Sequence, residues 1–144
     1  MTVGQGPFPE VKRRKGSRAA GQRLERNVVA ELQYLGIGAV LSGQWIEYHD
    51  ANGRGWAQPD AIVLANDGVS GIVFECKLKR TLDADIQLRD VYLPLVAHIW
   101  PQRKWRCVAV CQYWAGSIEG LRVVTTFDKV LQINEPLIWW HRFK

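Results

Sequence analysis

Two apolar runs on either side of a strong turn signal narrow the folds open to this chain more than any other feature. Ala61-Ile62-Val63-Leu64 is followed by Asn66-Asp67-Gly68 and then by Gly71-Ile72-Val73-Phe74-Glu75-Cys76-Lys77-Leu78-Lys79. Short apolar runs bounded in this way read as the arms of a β-hairpin. Side chains alternate across a strand, so Ile72, Phe74, Cys76 and Leu78 share one face, and Val73, Glu75, Lys77 and Lys79 share the other. A turn centred on Asp67-Gly68 pairs positions whose numbers sum to 135, which sets Asp60 opposite Glu75. A longer loop shifts that register and turns every side chain to the opposite face.

The flanking pattern supplies the rest of an α/β domain. Leu24, Val28, Leu32 and Leu35 recur at helical spacing between Ser17, a suitable N-cap, and Gly36, a natural stop. Residues 37–48 read as a strand broken at Ser42-Gly43, and residues 49–55 as a polar loop. A second helix over residues 83–99 contains Pro94, which deletes a backbone donor and is expected to kink or split it. Residues 105–114 read as a strand and 121–127 as another; Asp128 is expected to cap a short helix before the aromatic end Trp139-Trp140-His141-Arg142-Phe143. The order α, β, β, β, α, β predicts a mixed sheet flanked by helices.

With 144 residues the chain has one domain's worth of core, expected over residues 17–144 behind a flexible leader at residues 1–16, rich in Gly and Pro. No apolar run approaches the ~20 residues that cross a bilayer, and the first residues lack an apolar signal stretch. The expectation is a cytoplasmic protein without a membrane contact. Cys76, Cys107 and Cys111 have no metal-ligand spacing and read as small buried hydrophobes of a reducing compartment. Residues 1–26 carry seven bases, Lys12, Arg13, Arg14, Lys15, Arg18, Arg23 and Arg26, against Glu10 and Glu25, whereas the remainder balances at 12 and 12. A basic arm on a neutral body suits a polyanion, because each neutralised phosphate releases counterions; the alternative is a solvated tail kept for solubility.

The candidate chemistry lies on the hairpin. Two carboxylates held side by side repel, and a cation between them or a shared proton relieves the repulsion. Oxygen donors favour a hard ion, Mg2+ with Mn2+ as substitute. Lys77 beside them suits polarisation of an attacking water or stabilisation of charge on a phosphorane, which together make phosphodiester hydrolysis. Against this stands the ordinary reading, a turn aspartate and a Glu-x-Lys ion pair on a solvated sheet face. Glu25 falls inside the apolar arc of the first helix, where a carboxylate needs a partner. That partner is either a base such as Arg18 or an i+4 neighbour, or else the metal or its water. Trp56, placed with Arg54 in the loop before Asp60, is the candidate for stacking on an unpaired base.

Gln58-Pro59-Asp60, then fourteen residues, then Glu75-Cys76-Lys77, resembles the PD-(D/E)xK nuclease superfamily, and Gly21-Gln22-Arg23-Leu24-Glu25-Arg26 is similar to its first-helix glutamate motif. The resemblance covers roughly residues 14–114 and implies a restriction-endonuclease-like αβββαβ core. It also implies metal ligation by Asp60, Glu75 and the Cys76 carbonyl, with Lys77 at the water and Glu25 nearby. Arg14-Lys15-Gly16 with Glu25-Arg26-Asn27-Val28-Val29 is similar to the opening of archaeal-type Holliday junction resolvases, which are small dimeric endonucleases, and Ser42-Gly43 falls where they carry a functional serine loop. After the hairpin the pattern departs. Gln87-Leu88 with Tyr92 resembles the glutamine–tyrosine motif of RecB-type exonuclease domains with the interval one residue longer, and Gln87 suits an apolar boundary as well as an active site.

The expectation is a Mg2+-dependent deoxyribonuclease acting on branched or junction DNA as a homodimer, with a RecB-like exonuclease or nicking enzyme as alternative. Lys12, Arg13, Arg14, Lys15, Arg18, Ser42, Trp56, Lys79 and Arg80 are the expected DNA contacts. Two further readings stay open: a restriction-type or tRNA-processing nuclease on the same core, and a non-catalytic nucleic-acid-binding module.

Overall fold

A strand that is apolar on both faces needs a covering layer on each, and the strand Ser70–Lys79 sets that requirement here. The computed structural model describes residues 2–4, 17–51, 53–80, 82–114 and 120–142. In chain order the elements are β1 (Thr2–Gly4), α1 (Ser17–Leu35), β2 (Gly38–Ser42), β3 (Trp45–Asp50), β4 (Gly53–Ala57), β5 (Ala61–Ala65), β6 (Ser70–Lys79), α2 (Leu82–Ile86), a π-helical segment (Gln87–Tyr92), α3 (Leu93–Ile99), β7 (Lys104–Tyr113), β8 (Val123–Val124), α4 (Phe127–Gln132) and β9 (Leu137–His141). The result is α/β: a six-stranded mixed sheet in the order β2-β5-β6-β7-β9-β8, flanked by helices, with a small β1-β3-β4 sheet beside it. β5 pairs antiparallel with β2 on one side and β6 on the other, and β6, β7, β9 and β8 pair in parallel.

The hairpin has the expected register. Ala61 pairs with Phe74, Ile62 with Val73 and Val63 with Ile72, so paired numbers sum to 135 and the next step brings Asp60 to Glu75. Gly68 has φ 77°, a left-handed conformation that favours glycine, and the Asp67 carboxylate accepts from the Val69 and Ser70 amides at 2.9 and 2.8 Å. Arg103 clamps the two arms by donating to the carbonyls of Ala65 and Ser70 at 3.1 and 2.7 Å. Removing a charged donor from two half-buried carbonyls costs about 2 kcal/mol. Arg103→Ala is therefore expected to lower the urea midpoint without changing the slope of the transition, which equilibrium unfolding measures.

The faces of β6 are both buried from Gly71 to Cys76. On one, Leu24, Val28 and Leu32 of α1 pack with Ile72, Phe74, Cys76 and with Phe127 and Val130 of α4; each such buried aliphatic contributes about 1.5–3 kcal/mol. On the other, Val73 and Ile62 meet Leu88, Tyr92, Leu95 and Val96 of the second helical stretch. The face that carries Glu75 is thus not a solvated one, and Glu75 is only 5% exposed.

Several expectations need correction. Thr2–Gly4 of the expected leader pairs with β3, and residues 5–16 lie outside the described residues. The polar stretch 49–55 is a hairpin, with Glu47 opposite Trp56 and His49 opposite Arg54, because a small three-stranded sheet beside the main one needs few apolar residues. The strand expected over residues 121–127 shrinks to Val123–Val124, and the short helix is capped by Thr126, whose hydroxyl accepts from the Lys129 amide, rather than by Asp128. The aromatic end is β9, inserted in parallel between β7 and β8, so Trp139 and Trp140 are core residues.

Candidate functional site

The β5–β6 ladder ends at Ala61 and Phe74, and just beyond it the Cys76 N–H is buried with no strand carbonyl at that position of β5. Asp60 satisfies this donor: its Oδ2 accepts from Cys76 N at 2.7 Å. The carboxylate is thereby drawn against Glu75 of β6, and the two hydrogen-bond each other, with Glu25 of α1 reaching the Asp60 carboxyl as well. Lys77, two residues along the same face of β6, sets its Nζ 3.9 Å from Glu75 Oε2. The Tyr92 hydroxyl lies 3.3 Å from the Gln58 carbonyl oxygen and also reaches Glu75, so its single proton serves either acceptor.

These groups line one cleft of about 440 Å3, closed by Gly21 and Gln58 and including Glu25, Asp60, Glu75, Cys76, Lys77, Gln87 and Tyr92. Burial pushes the Asp60 carboxyl up to about 8, and the charge of Glu75 adds to the shift. Glu75 is raised too, first by burial, against which its bond from Asp60 and the charge of Lys77 act. Burial and the neighbouring carboxyl thus favour the protonated form of Asp60 at neutral pH, as like charges in a desolvated site require. Tyr92 is held firmly protonated by burial and by the same carboxylates.

Oxygen donors crowded in this way would suit a small hard cation. Among the described residues no three His, Cys, Asp or Glu groups form a ready-made cage. Mg2+ does not require one, since it is bound by one or two carboxylates and retains water. Asp60 and Glu75 are the side chains that could hold such an ion, with Glu25 bonded to the Asp60 carboxyl and in the same cleft.

Gln87 and Tyr92 share the cleft for a reason visible in the backbone. Five residues along an α-helix turn a side chain about 140° away, but Gln87–Tyr92 is π-helical, and its wider i→i+5 turn brings both to one side. Pro94 sits at the start of α3, where a missing donor costs little, so the expected split falls at this junction. Deleting the exposed Asp90 is expected to close the wide turn to a regular one while leaving both side chains in the cleft. Melting by circular dichroism should then shift by no more than a few degrees; full loss of the folded state would refute the compensation.

The expected DNA contacts divide. Lys12, Arg13, Arg14 and Lys15 lie outside the described residues, and Arg18 is placed only as backbone of α1. Ser42 ends β2, exposed, beside Gly43, whose φ is 65°. Lys79 is exposed at the end of β6. Trp56 is in β4, not in a loop, and the Arg54 guanidinium stacks 4.9 Å from its ring centroid. Arg80 is a correction: its guanidinium turns inward, 3.6 Å from the Asp85 carboxylate and 5.7 and 5.8 Å from the rings of Trp114 and Trp139. Asp85 is 4% exposed. Breaking a buried pair strands a charge, so Arg80 holds α2 to the sheet. Sequence reasoning passed over this pair, since neighbouring charges of opposite sign normally signal a solvated surface.

Cys76, Cys107 and Cys111 are free and buried, and burial lifts the Cys107 and Cys111 thiols to about 12. Among the described residues no helix is long and apolar enough to cross a membrane. No protein-family profile, no curated protein and no solved structure matches the chain. The geometry alone carries the functional reading.

Proposed function

We propose that the protein is a Mg2+-dependent deoxyribonuclease of the PD-(D/E)xK type, hydrolysing phosphodiester bonds in branched DNA. One observation carries the reading: a half-buried carboxyl, Asp60, and a buried one, Glu75, converge within reach of the Lys77 ammonium in an open cleft. A structural pair is normally of opposite sign, and a like-charged pair that is buried costs stability unless a ligand relieves it. The path of the chain also supports it. One helix, three antiparallel strands in the order β2-β5-β6, a helical crossover and a parallel β7, with β3 and β4 inserted between β2 and β5, are compatible with the αβββαβ order of a restriction-endonuclease-like core.

In this reading Asp60 and Glu75, with the Cys76 carbonyl, hold the ion, which when bound supplies Lewis-acid polarisation of the scissile phosphate. Lys77 donates to the attacking water or to the oxygen on which charge develops. Glu25 and the Cys76 amide hold the Asp60 carboxylate in place. Tyr92 and Gln87 line the opposite wall, where they limit water and orient the strand. The exposed Lys79 and the basic residues 12–18 lie on the backbone of the substrate, giving an affinity that falls steeply with salt.

A homodimer, matching the two-fold symmetry of a junction, completes the resolvase form of the proposal. The shared cleft of Gln87 and Tyr92 favours a second form, a RecB-like exonuclease. Purified protein with Mg2+ or Mn2+, offered a four-way junction, a linear duplex, a nicked circle and single-stranded DNA, separates them. Symmetric nicks near the crossover are expected for the resolvase, and mononucleotides released from an end for the exonuclease. Binding without cleavage under either ion overturns both and leaves a nucleic-acid-binding module.

A further inference from the structure

A second cleft, of about 410 Å3, opens between α1 and the turn joining β2 to β3. It is continuous with the candidate active site, since Glu25, Gln58 and Asp60 line both. Its volume falls in the range of sites that enclose a small ligand. Val29 and Pro59 provide an apolar surface, and the carboxamides of Gln22, Gln33 and Gln58 provide polar edges. Donation from Gln58 Nε2 to the Gly43 carbonyl oxygen at 3.0 Å fixes the plane of one of them.

The lining discriminates between possible occupants. An anion is disfavoured, because among the described residues Arg26 is the one cation in a wall that also holds two carboxyl groups. The cleft therefore selects a flat neutral group with mixed donors and acceptors on its rim. Carboxamides pair a donor with an acceptor and so match a nucleobase edge, while an apolar wall accepts its face. Continuity with the carboxylate site places such a group next to the phosphate being cut.

We infer that this cleft receives one unstacked nucleobase of the cleaved strand, adjacent to the scissile phosphate, so that the enzyme acts where DNA is locally unpaired. The inference rests on the phosphodiester reading of the neighbouring site. A base taken out of the stack costs least at junctions, gaps and frayed ends, which would give selection by structure without sequence readout.

Abasic scanning tests this. Full-length protein, with Ca2+ in place of Mg2+ to permit binding without turnover, is titrated with a gapped duplex in which single nucleotides around the cut are replaced one at a time by an abasic residue. One position is expected to weaken binding by about tenfold, as loss of a held base does, and its neighbours by less than about twofold. A 2-aminopurine at that same position should brighten on binding. Gln33→Ala and Ala30→Trp, the latter an exposed helix position on the cleft wall, should bring intact DNA to the affinity of the abasic one, with melting temperatures unchanged.

A flat scan in protein that still cuts DNA with Mg2+ overturns the base-binding cleft and leaves the nuclease reading standing. A position effect that persists in both variants also overturns it, since the base is then held elsewhere. A position effect erased by the variants in a protein that never cuts supports the cleft and overturns the nuclease.

Discussion

Lys77→Met is expected to lower the rate of cleavage about a thousandfold at saturating Mg2+ while the protein remains folded and binds DNA as before. The size follows from what one positioned ammonium supplies to charge developing on phosphate in a partly desolvated site. The variant should fold, because the Lys77 side chain is 39% exposed at the cleft mouth and its stem crosses no core. Its charge does hold Glu75 down, against the burial that raises it. Loss of that charge raises the Glu75 pKa further, and the pH at which Mg2+ binds should move upward with it. Lys77→Arg keeps the charge with different geometry and should recover the Mg2+ profile but only part of the rate. Single-turnover cleavage with a parallel Mg2+ titration separates the two effects. A rate within tenfold of wild type in Lys77→Met would remove the ammonium from the chemistry.

That the site was so largely legible in the sequence has a local cause. The turn at Asn66-Asp67-Gly68 fixes its own geometry through the Asp67 side chain and the positive φ of Gly68, so the register follows without knowledge of distant contacts. Asp60 and Glu75 then meet by counting. Glu25 was marked by its position in the apolar arc of α1, and the structure gives its partner as Asp60.

What escaped was set by long-range packing. β9 pairs with β7, about 30 residues earlier, and is covered on both faces, so Trp139 and Trp140 show no alternation that would announce a strand. The ribbon of β3 and β4 is held by Glu47, His49 and Arg54, polar residues whose pairing across it has no apolar signature. The π-helical turn over Gln87–Tyr92 leaves no apolar periodicity in the sequence that would announce it.

The strain stored at the carboxyl pair makes the second prediction. Asp60 keeps its proton in the folded apo protein up to about pH 8, whereas its ordinary value is 3.8. Between those two values the folded state binds more protons than the unfolded one, so stability is greatest at the acid end and is lost as pH rises through the folded value. In EDTA, the unfolding free energy should therefore fall by roughly 2 kcal/mol from about pH 5 to about pH 8, less than the full shift implies because the half-buried group is partly screened by water. Asp60→Asn keeps an acceptor for the Cys76 amide and removes the charge. It should flatten this dependence, leave the apo protein more stable than wild type at about pH 8, and abolish cleavage. Addition of Mg2+ should restore wild-type stability at high pH and release up to about one proton as it displaces the one on Asp60, and should do neither in the variant. Chemical denaturation across pH, with and without Mg2+, reads all of these. An Asp60→Asn protein that is less stable than wild type at every pH would show the carboxylate to be a structural cap on Cys76 and nothing more.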